Sequence, residues 1–289
     1  MDEHREILRY AAFSRDPGAG NPAGVVPDAT GLAATEMQRI AARVGFSETA
    51  FFFPDPADAG RLTVRYFSPL AEVTFCGHAT IASAVALAER HGPGRIVLDT
   101  LAGEVVVHSR YDEQGALVAA LTSVGPRVEA LAAGDLDELL GSLGWDAADL
   151  DPALPSRVAY AGAWHPVLAV TTRARLAALD YDFDRLARFM SARDWTTIQL
   201  VWRETETRFH VRNPFPPGGV VEDPATGAAA AAFGAYLRAV ELVTPPQQVT
   251  LVQGEDMGRP SRLTVDIPVD GAITVAGHAV VMPAAEPAD

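Results

Sequence analysis

The chain contains no lysine: its 23 basic residues are all arginine, set against 37 Asp and Glu for a formal net charge of −14. Schiff-base and pyridoxal-phosphate enzymes need a lysine amine, and a P-loop needs Gly-Lys-Ser/Thr, so these chemistries are excluded. The bias is that of a GC-rich coding sequence favouring Arg and Ala. With no basic surplus to release counterions, neither nucleic acid nor an anionic membrane is an expected partner. The single cysteine, Cys76, rules out an internal disulfide and any two-thiol mechanism, and suits a reducing compartment. No apolar run approaches the roughly 20 residues of a membrane span, and the opening segment MDEHREILRY is charged where a signal peptide is apolar, so a cytoplasmic protein is expected.

What the chain has in quantity is apolar side chains, 48% against 21% charged, a globular composition. At 289 residues it is long for one ordinary core, and two domains of similar size are expected. A faint internal repeat agrees. Val64-Arg65 and Val211-Arg212 each open a segment with a Pro-bearing loop, an acidic stretch, and an Ala-Thr pair that starts an alanine-rich helix. Asn21-Pro22 and His165-Pro166 recur at nearly the same offset. Helices are predicted over residues 34–44, 80–90, 135–143, 183–191 and 226–240. Short strands rich in Val, Ile and Thr are predicted over 62–67, 95–107, 116–121, 167–171, 197–202, 208–212, 248–252, 263–267 and 272–282. Few helices alternate with single strands, which argues for an α+β fold: two pseudo-symmetric halves, each a mostly antiparallel sheet or barrel around one apolar helix. The expected division is residues 1–125 and 126–289, crossing near Ser123 to Arg127, with a last strand that could cross back to the first half.

Three segments exceed what a fold needs. Gly45-Phe46-Ser47-Glu48-Thr49-Ala50 puts a carboxylate between a helix end and the apolar run Phe51-Phe52-Phe53. A carboxylate among apolar groups is desolvated and can exchange protons near neutral pH. Phe75-Cys76-Gly77-His78-Ala79-Thr80 and Glu222-Asp223-Pro224-Ala225-Thr226-Gly227-Ala228 lie at the starts of the paired helices, where free N–H groups and the dipole favour a bound carboxylate. Taken singly, each has a plainer reading: a solvated Glu48 beside a turn, ordinary caps by Thr80 or Asp223, a core histidine at His78. Duplication shifts the balance, because it would bring both helix starts to one cleft. The seven histidines show no metal-ligand spacing, there is no Cys-x-x-Cys, and the glycines at 18, 20 and 24 miss the dinucleotide fingerprint. No metal is expected.

In order along nearly the whole chain, Gly20-Asn21-Pro22, Phe46-Ser47-Glu48-Thr49, Phe75 to Thr80, Glu222 to Gly227 and Gln253-Gly254 through Met257 to Ser261 resemble the PhzF-like family of phenazine-biosynthesis isomerase homologues, within the diaminopimelate-epimerase fold. The resemblance implies a cofactor-independent isomerase or epimerase that moves a proton between carbons of a small amino or hydroxy carboxylic acid. Glu48 would be the acid/base, with His78 and Asp223 positioning substrate and assisting proton transfer. Gly77, Gly227, Ala228 and Asn21 would contact the substrate, and a homodimer is what the family suggests. The two-cysteine mechanism of diaminopimelate epimerases is excluded by the cysteine count. One position departs from the pattern: the family's Thr-Gly-Ser is Thr226-Gly227-Ala228 here, which removes a hydroxyl that helps hold substrate. That departure leaves open an alternative, a catalytically silent protein that binds a carboxylate metabolite.

Overall fold

In a computed structural model the chain is described over residues 5–283 apart from Pro56 and Ala59, and it divides into two compact units. The first runs to Thr122 and takes in the residues from Ala276 onward; the second is Ser123–Val275. In chain order the first holds β1 (Leu8–Ala12), β2 (Asn21–Val26), α1 (Ala34–Val44), β3 (Glu48–Pro54), β4 (Arg61–Phe67), β5 (Glu72–Val73), α2 (Gly77–His91), β6 (Arg95–Thr100), β7 (Gly103–Tyr111) and β8 (Leu117–Thr122). The second holds β9 (Arg127–Ala130), α3 (Ala133–Leu143), β10 (Arg157–Tyr160), β11 (Trp164–Ala169), α4 (Arg173–Ala177), α5 (Phe183–Ser191), β12 (Gln199–Arg203), β13 (Arg208–Arg212), β14 (Pro214–Phe215), β15 (Val220–Glu222), α6 (Gly227–Ala239), β16 (Gln247–Gln253) and β17 (Ser261–Ile267). The final strand, β18 (Thr274–Val281), belongs to the first unit from Ala276.

The strands of the first unit run β1-β2-β3-β4-β6-β7-β8-β18, and β18 pairs back on β1, closing an eight-stranded barrel. From β1 to β7 the pairings alternate antiparallel and parallel. The second unit repeats that alternation from β10 through β11, β12, β13 and β16 to β17. A parallel pair cannot be joined by a hairpin. In the first unit the two crossovers carry α1 and α2; in the second they carry α4 with α5, and α6. The repeat legible in the sequence is therefore one supersecondary unit used twice, and the fold is α+β with two pseudo-symmetric halves.

The alanine-rich helices are the centres of these halves. In α2 every residue from His78 to Ala88 is buried, and the helix touches β1, β2, β3, β7 and β8. In α6 ten residues are buried, against β9, β10, β11 and β17. A helix buried on all sides must be apolar all round, and small side chains let strands approach it from every direction. By contrast α1 buries one stripe, Met37, Ile40, Ala41 and Val44, on Val26, Phe51 and Phe67. Phe51 and Phe52 on β3 are fully buried, each contributing about 1.5–3 kcal/mol of hydrophobic burial.

Three sequence expectations change. The strand predicted over 95–107 is a hairpin, because Gly103 at φ 114° and the Thr100 hydroxyl, which donates to the Gly103 carbonyl at 2.7 Å, turn the chain after β6. The helix expected from residue 80 starts at Gly77, so Thr80 is interior and bonds the Cys76 carbonyl instead of capping. The strands β1, β2, β5, β9, β10, β14 and β15 and the helix α4 lie outside the predicted segments; they are short, and Pro22 and the polar ends of β9 obscure any alternation. Among the described residues no helix is long and apolar enough to cross a membrane.

One core group makes stability depend on pH. His165 on β11 is fully buried, with Nδ1 2.9 Å from the Thr197 hydroxyl, and burial pushes its imidazole down to about 4 from an ordinary 6.5. The unfolded chain therefore takes up this proton at a higher pH than the folded one. Stability is full above about 6.5 and falls as pH drops toward 4, by about 3 kcal/mol from this group. Urea unfolding of wild type and His165→Asn across that range should show a shallower acid slope in the variant; parallel slopes would assign the dependence elsewhere.

Candidate active site

In the first unit the site is built where α1 ends. Gly45 takes the left-handed conformation (φ 74°) and its N–H closes on the Ala41 carbonyl at 3.0 Å, after which Phe46 and Ser47 lead directly into β3. Glu48, the first residue of β3, lies opposite Ala23 of β2, and its side chain is 17% exposed. Glu48 is therefore not a solvated surface carboxylate. Its Oε2 is 3.5 Å from Nε2 of His78, the second residue of α2. Ser47 Oγ lies 3.3 Å from the same nitrogen, and Cys76 Sγ lies 3.3 Å from Nδ1. His78 is buried, with the thiol near Nδ1 and the carboxylate and hydroxyl near Nε2.

In the second unit Asp223 follows β15 and precedes α6. Its N–H donates to the Asn213 carbonyl at 3.0 Å, and its Oδ2 accepts from the Thr226 hydroxyl at 2.6 Å. Gln253, buried at the end of β16, holds this loop: Oε1 accepts from the Thr226 N–H at 3.1 Å, and Nε2 donates to the Asp223 carbonyl at 2.7 Å. Gly254 follows in the left-handed region (φ 75°). A Cβ there would stand 2.8 Å from the Pro224 carbonyl, so the loop packs against bare backbone. The neighbouring carboxylate is occupied, since Glu222 is paired with the buried Arg212 guanidinium, whose Nε donates to Oε1 at 2.9 Å.

Neither α2 nor α6 has a side-chain cap at its N-terminus. The first-turn N–H groups of Gly77 and His78, and of Gly227 and Ala228, are donors without intrahelical partners, the local arrangement that suits an anionic group. Of the candidate residues, Glu48, His78 and Gly77 fall together, and Asn21 begins β2, the strand beside Glu48, where it is buried. Asp223, Gly227 and Ala228 fall together at the start of α6. Ser47, Thr226 and Gln253 were not singled out as site residues, although each lies in a quoted motif; a polar side chain flanked by apolar strand or helix residues was the available signal.

A solved hydroxyproline epimerase from Agrobacterium vitis overlays with a TM-score of 0.62, covering 95% of this chain and 88% of that one at 15% identity; this establishes the fold, that of the diaminopimelate-epimerase-like proteins. Within that class the model of the phenazine biosynthesis-like PhzC-PhzF proteins matches residues 10–285, and the chain belongs to this family. The trans-2,3-dihydro-3-hydroxyanthranilate isomerase of Pseudomonas chlororaphis is 33% identical over 252 residues, 86% of each sequence. The crystal structure of a Bacillus anthracis phenazine biosynthesis protein of the PhzF family matches with a TM-score of 0.86 and 28% identity, covering 96% of each chain. The chain is an isomerase of the PhzF type.

Proposed function

We propose that the protein moves a proton between two carbons of a small amino or hydroxy carboxylic acid, with Glu48 as the acid/base and no cofactor, in the cytoplasm. The observation that carries this reading is the Glu48–His78–Cys76 chain at the uncapped start of α2. A C–H beside a carbonyl or extended π-system is acidified when the resulting negative charge is stabilised. Glu48 takes the proton from one carbon and returns it to the other, so the enzyme ends unchanged. His78 supports this by holding the carboxylate in place, and helix-start N–H groups supply donors for the developing charge. In the second unit Asp223, held by Thr226 and Gln253, would suit a substrate amino or hydroxyl group.

The test is deuterium incorporation from solvent, followed by NMR. The chelator-treated protein is offered trans-2,3-dihydro-3-hydroxyanthranilate and a panel of amino and hydroxy acids. Incorporation at carbon in one of them is expected without added metal. Binding without exchange in any of them would favour a silent binding protein, and activity lost to chelation and restored by metal would remove the carboxylate-only mechanism.

Ala228 makes a further expectation. A hydroxyl donating to a bound carboxylate is worth about 1.5–3 kcal/mol, so an alanine here weakens recognition of an anthranilate-like acid by roughly 10- to 150-fold without stopping proton transfer. Ala228→Ser should tighten such a ligand by that factor in titration calorimetry. Equal affinities would mean that residue 228 does not meet the ligand, and efficient wild-type turnover of the dihydro-hydroxyanthranilate would show that no different substrate is needed.

A further inference from the structure

The same cluster has the composition of a metal site. One carboxylate oxygen of Glu48, Cys76 Sγ and one ring nitrogen of His78 all lie within 4.8 Å of one another. His78 Nε2 is 3.5 Å from Glu48 Oε2 and 3.9 Å from Cys76 Sγ. Tetrahedral zinc, with bonds of about 2.0–2.3 Å, places neighbouring ligand atoms roughly 3.4–3.6 Å apart, so small side-chain movements would close the set. A thiolate, an imidazole and one carboxylate form a borderline-soft set that suits zinc or cobalt and disfavours magnesium and calcium, which require several oxygens. The charges also match: thiolate and carboxylate together neutralise a divalent cation. Cys76 and His78 are buried, and the partly exposed Glu48 provides the way in.

We propose that Glu48, Cys76 and His78 bind one zinc-type divalent cation reversibly, and that the bound ion inhibits the enzyme. On binding, the Cys76 thiol gives its proton to solvent and its sulfur, the Glu48 oxygen and His78 Nε2 bond the metal, leaving a fourth position for water. Metal on Glu48 takes up the lone pair that would accept the substrate proton. The inhibitory half rests on the proposed role of Glu48; the binding half does not.

The experiment uses the full chain, stripped with chelator and titrated with zinc chloride and with cobalt chloride, followed by absorption, calorimetry and deuterium exchange. Because Cys76 is the sole cysteine, thiolate-to-cobalt charge-transfer absorption reports this site alone. One equivalent should bind with that absorption, and exchange should fall in step with zinc occupancy. Cys76→Ser should lose the absorption and bind zinc more weakly by more than the roughly 10- to 100-fold typical of losing an outer-shell partner, with its exchange under zinc compared against its own metal-free rate. Cys76→Ala, small and apolar for a buried position, makes the same comparison should the serine variant fold poorly. Absent cobalt–thiolate absorption, or zinc affinity unchanged in both variants, would overturn the site. Cys76-dependent binding with undiminished exchange would overturn inhibition and remove Glu48 as the base.

Discussion

Glu48→Gln should abolish measurable carbon–proton exchange while leaving the fold and ligand binding nearly intact. Glutamine keeps the shape of glutamate and can still face His78 Nε2 at the 3.5 Å now separating it from the carboxylate. Glutamine cannot accept or return a proton, and general acid–base catalysis is typically worth ~10²–10⁴-fold. Single-turnover exchange on wild type and variant, with ligand affinity measured alongside, separates the two effects. A rate lost with affinity retained supports Glu48 as the base; undiminished exchange would move the base elsewhere, with Asp223 next.

Breaking the Arg212–Glu222 pair should be the most destabilising single change in the second unit. Both side chains are buried, and Arg212 also donates from Nη1 to the Ala177 carbonyl at 2.8 Å. Removing one partner strands the other charge away from water, which costs about 3–5 kcal/mol. Arg212→Met should lose that much in urea unfolding, and Arg212→Met with Glu222→Leu should recover most of it, because apolar replacement of both members is often neutral. The pair adjoins the hydrogen bond from Asp223 to Asn213, so the single variant should also impair substrate handling. A loss below about 1 kcal/mol would mean that water reaches the pair freely.

What the sequence made legible follows from local constraint. The paired Ala-Thr helix starts were visible because a fully buried helix needs small apolar residues along its whole length, and that composition repeats in α2 and α6. Glu48 stood out because a carboxylate at the head of Phe51-Phe52-Phe53 has no reason to be there in a plain strand. Short strands such as β9 and β10 offered too few residues for a period to register. Gln253 reads as an exposed strand end, yet it is 1% exposed because it replaces the missing cap of α6 by bonding the Thr226 N–H. The approach of Cys76 to His78 and Glu48 depends on α2 starting at Gly77, three residues before the predicted start; with Thr80 as the first helical residue the ring would have had no fixed direction.

The central claim, transfer of a proton from one carbon to another by a single carboxylate, is tested most directly by isotope position. A substrate carrying deuterium on the donor carbon is turned over in ordinary water, and the label in the product is located by NMR. The label should leave the donor carbon in every product molecule, and a fraction should reappear on the acceptor carbon, as one base shared by both carbons requires; product that still carries the label on the donor carbon would contradict transfer by Glu48 alone.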